Sequence, residues 1–361
     1  MPINARSPHI VQVNDVTQTG SKIEIDLWYY TGTQPTSPTY TLSKLIPAVN
    51  NTDTAYNISP YIREYLLHKF TGNNYATNQF LTDQYEHVNI EYRTYNFIGG
   101  VYVLDTTVTD TCFDGYGYYE EGVNINRGNI LLGNNTTHYY WHDSTNTPSS
   151  NPAHRAGVVT AKVLRNWYYV HTPLGGGTSV TYTFTADGVY DIKRVHQGNY
   201  ATGNLLQIFD NLNVLQWQGT FAPKTECRYT PVTIDFVNKF GGWQREFFYK
   251  ASIEALEVNN TAYNLMPSQV VPTLISEGQR RVFNNNGLRR YTLNTGFVDE
   301  SYGETMQELL LSERVIWQNG SQTIPVKVNT KSITKHKNIN NKTINFSIEI
   351  ELAFDVIHSI V

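Results

Sequence analysis

The sequence has little cysteine and no long apolar run. Its 361 residues include two cysteines, Cys112 and Cys227, too few for a disulfide-rich secreted framework or a cysteine-only zinc site. We expect free, partly buried thiols, with a single disulfide as the alternative. No stretch approaches the roughly 18 apolar residues of a membrane-spanning helix. Residues Met1–Ser7 lack the apolar core of a signal peptide, so we expect a soluble product made in the cytoplasm.

Charge is also scarce. Asp, Glu, Lys and Arg make up 16% of the chain, and the formal net charge is −4. Soluble domains usually contain about 25% of these residues. Because no basic excess attracts the chain to phosphates or anionic lipids, we expect neither nucleic acid nor a membrane as a partner.

Enzyme signatures are missing as well. The sequence contains no G-x-S-x-G or H-E-x-x-H motif, and Gly175–Gly177 is not followed by the Lys-Ser/Thr of a phosphate-binding loop. We therefore predict a protein that is not an enzyme and needs no cofactor. A glycan-degrading activity stays open as an alternative. Glycoside hydrolases need only two carboxylates, and a fold can bring these together from positions that sequence spacing does not reveal.

What the chain does contain is threonine, asparagine and tyrosine, with 41, 36 and 26 residues respectively. Threonine and tyrosine favour strands, whereas asparagine favours turns. This composition predicts an all-β fold of two or three sandwich-like or barrel-like domains with two short helices. We place the domains at residues 1–110, 111–228 and 229–361, the middle one being an insertion with long aromatic loops.

Local patterns place the main elements. Lys22–Tyr30 alternates apolar and polar residues, and so does the terminal strand Ile344–Phe354. Ser59 before Pro60 predicts a helix start, with that helix ending near Gly72. A second helix of about ten residues follows from a capping box that precedes a Leu-rich run. The residues of this box and run are Ser301, Glu304, Met306 and Leu309–Leu311, with the three leucines expected to face inward.

Two further segments predict hairpins. Ala186-Asp187-Gly188 lies between two strand patterns in the middle domain and is a hairpin signal. Arg280-Arg281 and Arg289-Arg290 flank Asn284–Gly287, which predicts a hairpin with basic edges. These arginines either complement an acidic partner or form a solvated strand edge.

Candidate contact residues are mainly aromatic. Tyr139, Tyr140, Trp141 and His142 lie in an irregular segment, and Trp243 follows a Phe-Gly-Gly turn. Such side chains stack on sugar rings or anchor a protein partner, although packing of the loop or the core is the alternative. His138, His142 and Asp143 offer metal ligands, but their spacing in a loop favours no metal site.

Three motifs resemble virion structural proteins of tailed bacteriophages, of the tail or baseplate. They are Ile58–Tyr65, Phe236–Trp243, and a C-terminal run made of Asn294-Thr295-Gly296, Glu300, Glu304 and Leu309–Glu313. The resemblance implies a structural subunit in a ring, located in the virion and assembled in the host cytoplasm from its own copies and other virion proteins. A receptor-binding or glycan-binding adhesin that contacts a host-surface glycan is the alternative. A head-tail connector is a further one.

Overall fold

The computed structural model describes residues 2–29, 32–46, 53–66, 79–81, 87–132, 137–140, 158–224, 226, 228–266, 278–320, 322–334 and 343–358. Most of these residues lie in strands, and the described chain has two α-helices. The prediction of an all-β fold with two short helices is confirmed.

The elements run along the chain as follows. The first part contains β1 (Ile3–Asn4), β2 (Ile10–Asn14), β3 (Gly20–Tyr29), β4 (Tyr40–Leu45), β5 (Asp53–Asn57), α1 (Ser59–Tyr65), β6 (Gln79–Leu81), β7 (Val88–Ile98) and β8 (Val101–Phe113). The middle part contains β9 (Thr137–Tyr140), β10 (Val158–Val163), β11 (Tyr168–Pro173), β12 (Val180–Thr183), β13 (Gly188–Lys193), β14 (Asn204–Phe209) and β15 (Leu215–Lys224). The last part contains β16 (Val232–Val237), β17 (Trp243–Phe248), β18 (Ile253–Asn264), β19 (Arg280–Asp299), α2 (Tyr302–Leu311), β20 (Val315–Asn319), β21 (Gln322–Val328) and β22 (Thr343–Leu352).

These strands form five sheets in the described chain. Near the N-terminus lie a five-stranded sheet of order β1-β8-β7-β3-β4 and the pair β2-β5. Two strands of the middle part form a three-stranded sheet with β6 of the first part, in the order β10-β13-β6, and the other middle strands form a five-stranded sheet of order β12-β11-β14-β15-β9. A seven-stranded sheet of order β17-β16-β20-β21-β22-β19-β18 completes the fold. Neighbouring strands are antiparallel, except that β1 pairs with β8 and β9 with β15 in parallel.

The alternating patterns at both ends of the chain have the predicted burial. In β3, Ile23, Ile25 and Leu27 are buried, and in β22 Phe346 and Ile348 are buried. Each set lies on one face of its strand because successive side chains point to opposite sides of a sheet.

Both helices depart from their predicted caps. The α1 helix ends at Tyr65, not near Gly72, because Leu66 already has extended backbone angles. Ser59 is the first helical residue and not the cap, since its Oγ donates to the Ser7 carbonyl at 2.5 Å and accepts from the His9 amide at 2.9 Å. Ser301 precedes α2 without a side-chain cap bond.

The inward face of α2 is only partly the predicted one. Met306 and Leu309 are fully buried, Leu310 is half-buried, and Leu311 is 43% exposed. Three successive leucines cannot all face the core, because a helix turns by about 100° per residue.

Neither predicted hairpin forms. The strands that flank Ala186–Gly188 belong to different sheets, since β12 pairs with β11 and β13 pairs with β10. Asn284–Gly287 is no turn, because all four arginines lie in the single strand β19. A positive φ at Asn284 and a bulge in β19, where Asn284 and Asn285 lie opposite Asn260 alone, absorb the irregularity without reversing the chain.

Three large hydrophobic clusters occupy the fold. One draws on residues 3–112, the second on residues 130–249 and the third on residues 234–352. The second and third overlap along the chain at β17. The division at residues 110 and 228 stays a prediction.

Candidate functional site

A two-stranded arm extends from one edge of the seven-stranded sheet. It consists of Val258–Asn264 in β18 and Arg280–Gly287 in β19, paired antiparallel from Val258 opposite Gly287 to Asn264 opposite Arg280. Beyond the arm, β19 pairs with β22 from Arg290 onward. Within the described chain, Arg280–Phe283 of β19 have a strand neighbour on one side only, whereas Gly287 accepts a hydrogen bond from the Val356 amide at 2.8 Å and Asn286 exchanges hydrogen bonds with Ile357.

Ion pairs fix the base of the arm to the sheet. Arg290 contacts Glu257 of β18 and also Glu351 of β22, the latter at 3.0 Å between Nε and Oε2. The hydrogen bond to Glu351 raises the pKa of Arg290 above its ordinary value. On the other face of β19, the Nε atom of Arg289 lies 3.7 Å from Oε1 of Glu254. These contacts hold the beginning of the arm in line with the sheet.

The arm has exposed apolar side chains on both of its strands. Val258 is 55% exposed, Val282 51% and Phe283 52%. Tyr263 packs against Phe283 with ring centroids 5.5 Å apart. A two-stranded hairpin is marginally stable by itself in water. Val282 and Phe283 are successive residues, so they lie on opposite faces of the arm and leave apolar surface exposed on both. The arm therefore has the properties of a surface that another chain covers.

Two arginines, Arg280 and Arg281, lie at the distal end of the described arm. Arg280 and Arg281 are exposed, and neither guanidinium has an ion-pair partner among the described residues. They lie opposite Asn264 and Tyr263, beside the apolar residues.

A second uncovered apolar patch lies at the end of the β7–β8 hairpin. Val101, Tyr102, Val103 and Leu104 are 64%, 39%, 50% and 53% exposed. Gly99 and Gly100 supply the positive φ angles of the turn. On its outer side β8 has no partner until β1 reaches Cys112, so the backbone of Val101–Thr111 forms an open sheet edge in the described chain.

Charges of both signs lie near this second patch. Asp105 follows it directly, and on the same sheet Arg93 is shared by Asp26 at 2.8 Å, Glu91 at 2.7 Å and Glu24 at 3.4 Å. Burial acts to lower the pKa of Arg93, but hydrogen bonds and charge attraction from Asp26 raise it above its ordinary value. Lys22 pairs with Glu24 as well, at 2.6 Å between Nζ and Oε1, and its Nζ lies 5.0 Å from the centre of the Tyr102 ring, so a cation also lies beside the patch.

A cavity of about 580 Å³ lies between the start of β15 and residues 127–132. Its lining combines the aromatic rings of Trp217 and Phe240 with Arg127 and the polar residues Gln216 and Gln218. Trp217 is buried, and its Nε1 has no hydrogen-bond partner among the described residues. Aromatic rings combined with polar donors suit a hydroxyl-rich ligand.

Of the residues predicted as contacts, only Trp243 has a described side chain, so the grouping of the others stays a prediction. Tyr139 and Tyr140 lie in β9, which pairs with Pro223 and Lys224 of β15, and their side chains are outside the described set. Trp141 and His142 lie outside the described residues. Trp243 is only 6% exposed, so its ring packs inside the chain's own body and is not displayed to a partner.

The residues weighed as metal ligands and set aside, His138, His142 and Asp143, cannot be described as a centre. The side chain of His138 is outside the described set, and so are His142 and Asp143. Among the residues that are described, no three His, Cys, Asp or Glu side chains converge. Cys112 is a free, fully buried thiol whose pKa burial raises well above the ordinary value, and Cys227 lies outside the described residues.

Polar groups are also buried between the second and third clusters. Arg245 binds Asp235 through two hydrogen bonds of 2.7 Å, and Arg194 donates to the Arg245 carbonyl at 3.0 Å. Tyr302 of α2 donates to Glu246 at 2.8 Å. Each of these side chains is 8% exposed or less, so we assign them to the joint between β13, β17 and α2.

Sequence reasoning missed the arm. Its strands have ordinary strand patterns, and the sequence suggested a turn at Asn284–Gly287 in the middle of one of them. A usable signal is the absence of charge from Val258 to Asn264, since edge strands usually carry protective charges.

The comparisons with known proteins give no further identification. No protein-family model matches the chain, and no curated protein is similar to it at a significant level. No helix among the described residues is long and apolar enough to cross a membrane.

Proposed function

We propose that the protein is a structural subunit of a bacteriophage virion, in a tail or baseplate ring, that assembles with its own copies and with other virion proteins. The arm carries this proposal. A hairpin with exposed apolar residues on both strands is stabilised when a neighbouring subunit covers it. The resemblance of Ile58–Tyr65 and the C-terminal run to phage structural proteins supplies the virion context.

The remaining features support an architectural role. Ion pairs of Arg290 with Glu257 and Glu351 hold the base of the arm, and the buried Arg245–Asp235 pair holds the opposite edge of the same sheet. A rigid body with a protruding strand pair suits repeated assembly, because the contact loses little conformational entropy when it forms.

The test is the mass of the purified chain, measured by analytical ultracentrifugation with negative-stain imaging of the same sample. We expect a discrete oligomer with ring-shaped particles. Val258→Lys with Val282→Lys places charge on the arm and should give monomers with an unchanged melting temperature.

The matched control places the same charges elsewhere. Val16 and Leu212 are 87% and 75% exposed at positions outside the arm. Val16→Lys with Leu212→Lys should leave the oligomer intact. A wild-type chain that stays monomeric across the accessible concentration range would contradict self-assembly.

The cavity beside Trp217 favours a second candidate, glycan binding by a tail adhesin. Its aromatic and amide lining suits a sugar ring. A glycan array probed with the intact chain tests this function, and Phe240→Ala should weaken any binding that is found. An array without signal would leave the structural role as the sole proposal.

A further inference from the structure

We propose that the arm of one copy docks along the open outer edge of β8 in the next copy, so that successive subunits join head to tail. This inference rests on the proposed function and names the partner surface within it. The two surfaces are the arm, Val258–Asn264 with Arg280–Gly287, and the β8 edge, Val101–Thr111.

Within the part of the chain that the structure describes, both surfaces lack a strand neighbour along one edge. β18 is the terminal strand of the seven-stranded sheet, and β8 is covered by β1 only at Cys112 and Phe113. Each edge offers a row of backbone donors and acceptors that another strand can pair with. The two strands, of 12 and 13 residues, are also similar in length.

Both surfaces are apolar in the described structure. The arm exposes Val258, Val282 and Phe283, while the β8 edge exposes Val101, Val103 and Leu104. Pairing the two edges places cross-strand neighbours beside these side chains on each face of the joined sheet, which covers part of both patches. Pairing of two arms about a two-fold axis would leave the β8 patch uncovered on every subunit.

The charges are complementary. Arg280 and Arg281 have no ion-pair partner among the described residues, and neither has Asp105, which follows the β8 patch and accepts hydrogen bonds from Thr94 and Thr106. The carboxylates of Asp26, Glu24 and Glu91 behind it are shared by Arg93 and Lys22. Opposite potentials across an interface steer association and select the correct partner.

The proposed contact determines which symmetry the assembly can have. It joins two different surfaces, so it is heterologous, and such contacts generate closed rings or open filaments. This agrees with a ring position and differs from a closed two-fold dimer.

The experiment uses two charge variants of the full chain. The arm variant is Arg280→Glu with Arg281→Glu, and the edge variant is Val103→Lys with Asp105→Lys. Each variant alone places like charges across the contact, and we expect its assembly to be weakened by about 100-fold or more. All four residues are exposed, so circular dichroism and melting should match the wild type.

Mixing the two variants is the decisive step. The arm variant and the edge variant carry opposite charges at the contact, so an equimolar mixture should assemble although neither does so alone. A control with Ser43→Lys and Leu45→Lys alters β4, the other edge of the same sheet, and should assemble like the wild type.

Other outcomes separate the two proposals. An edge variant that assembles normally, or a mixture that stays monomeric, overturns docking on β8 while the wild-type oligomer still supports the structural role. A wild-type chain that is itself monomeric overturns both.

Discussion

Phe247 and Phe248 are neighbours in β17, yet their side chains lie in two different hydrophobic cores. Phe247 packs with Trp217 and Tyr249 in the middle cluster, whereas Phe248 packs with Met306 and Leu309 in the C-terminal cluster. Successive residues of a strand point to opposite faces, so this one strand forms a wall of both cores. A substitution on either face of β17 should therefore destabilise both cores.

The shared strand gives the first prediction. Phe247→Ala and Phe248→Ala should each lower the free energy of unfolding by about 3–5 kcal/mol, because each leaves a cavity in a packed core. Urea denaturation followed by tryptophan fluorescence measures the change. Phe354→Ala is the control, since Phe354 is 52% exposed and its truncation should cost about 0.5 kcal/mol or less. Equal losses in all three variants would contradict the assignment.

The second prediction concerns the buried ion pair. Asp235→Ala leaves the guanidinium of Arg245 without its carboxylate in the interior and should cost about 3–5 kcal/mol. Glu313→Ala removes a comparable contact to Arg63 at the surface, where the side chains are 51% and 48% exposed. That change should cost at most about 1 kcal/mol. Thermal unfolding of both variants would show whether burial makes the difference.

Two glycines with similar backbone angles provide the third prediction. Gly241 has a φ of +85°, and a Cβ there would lie 2.6 Å from the Phe113 Cβ and 2.7 Å from the Gly115 nitrogen. Gly100 has a φ of +86° with nothing within 4 Å. Gly241→Ala should therefore lower the melting temperature more than Gly100→Ala, which adds only the backbone penalty of about 1–2 kcal/mol. Similar losses would show that the contact with residues 113–115 yields easily.

The fourth prediction is a pH dependence. Burial raises the pKa of Asp191 from 3.8 to about 7, against the hydrogen bond from Thr160. Between these values the folded chain keeps the proton and the unfolded chain releases it. The resulting stabilisation is present below about pH 4 and is lost as the pH rises through 7.

Asp191→Asn removes the titrating carboxyl group and keeps an oxygen that accepts the hydrogen bond from Thr160. Wild type should therefore lose stability relative to this variant as the pH rises from 4 to 7. Burial lowers the pKa of His87 to about 4, so this group makes the stability rise with pH. It is present in the wild type and in the variant, so its effect cancels in the difference between them. Denaturation of both proteins across this range measures the effect, and parallel curves would contradict it.

Local patterns in the sequence predicted the fold class and many elements, because side-chain period and composition are local properties. The apolar face of β22 and the alternation in β3 needed no knowledge of neighbours. The helix after Ser301 was found for the same reason, although its cap bond does not form. Ala186–Gly188 and Asn284–Gly287 were misread, because the same turn residues occur in strand crossovers and bulges.

The sequence by itself determined that this is a β protein with little charge and with apolar faces for several cores. Only the tertiary structure decided which faces stay uncovered. It buries Trp243 and leaves Val258, Val282 and Phe283 in solvent, although all four belong to strands. The physical reason is that burial depends on which strands become neighbours in a sheet, and pairing between residues distant in sequence is not encoded in any local period.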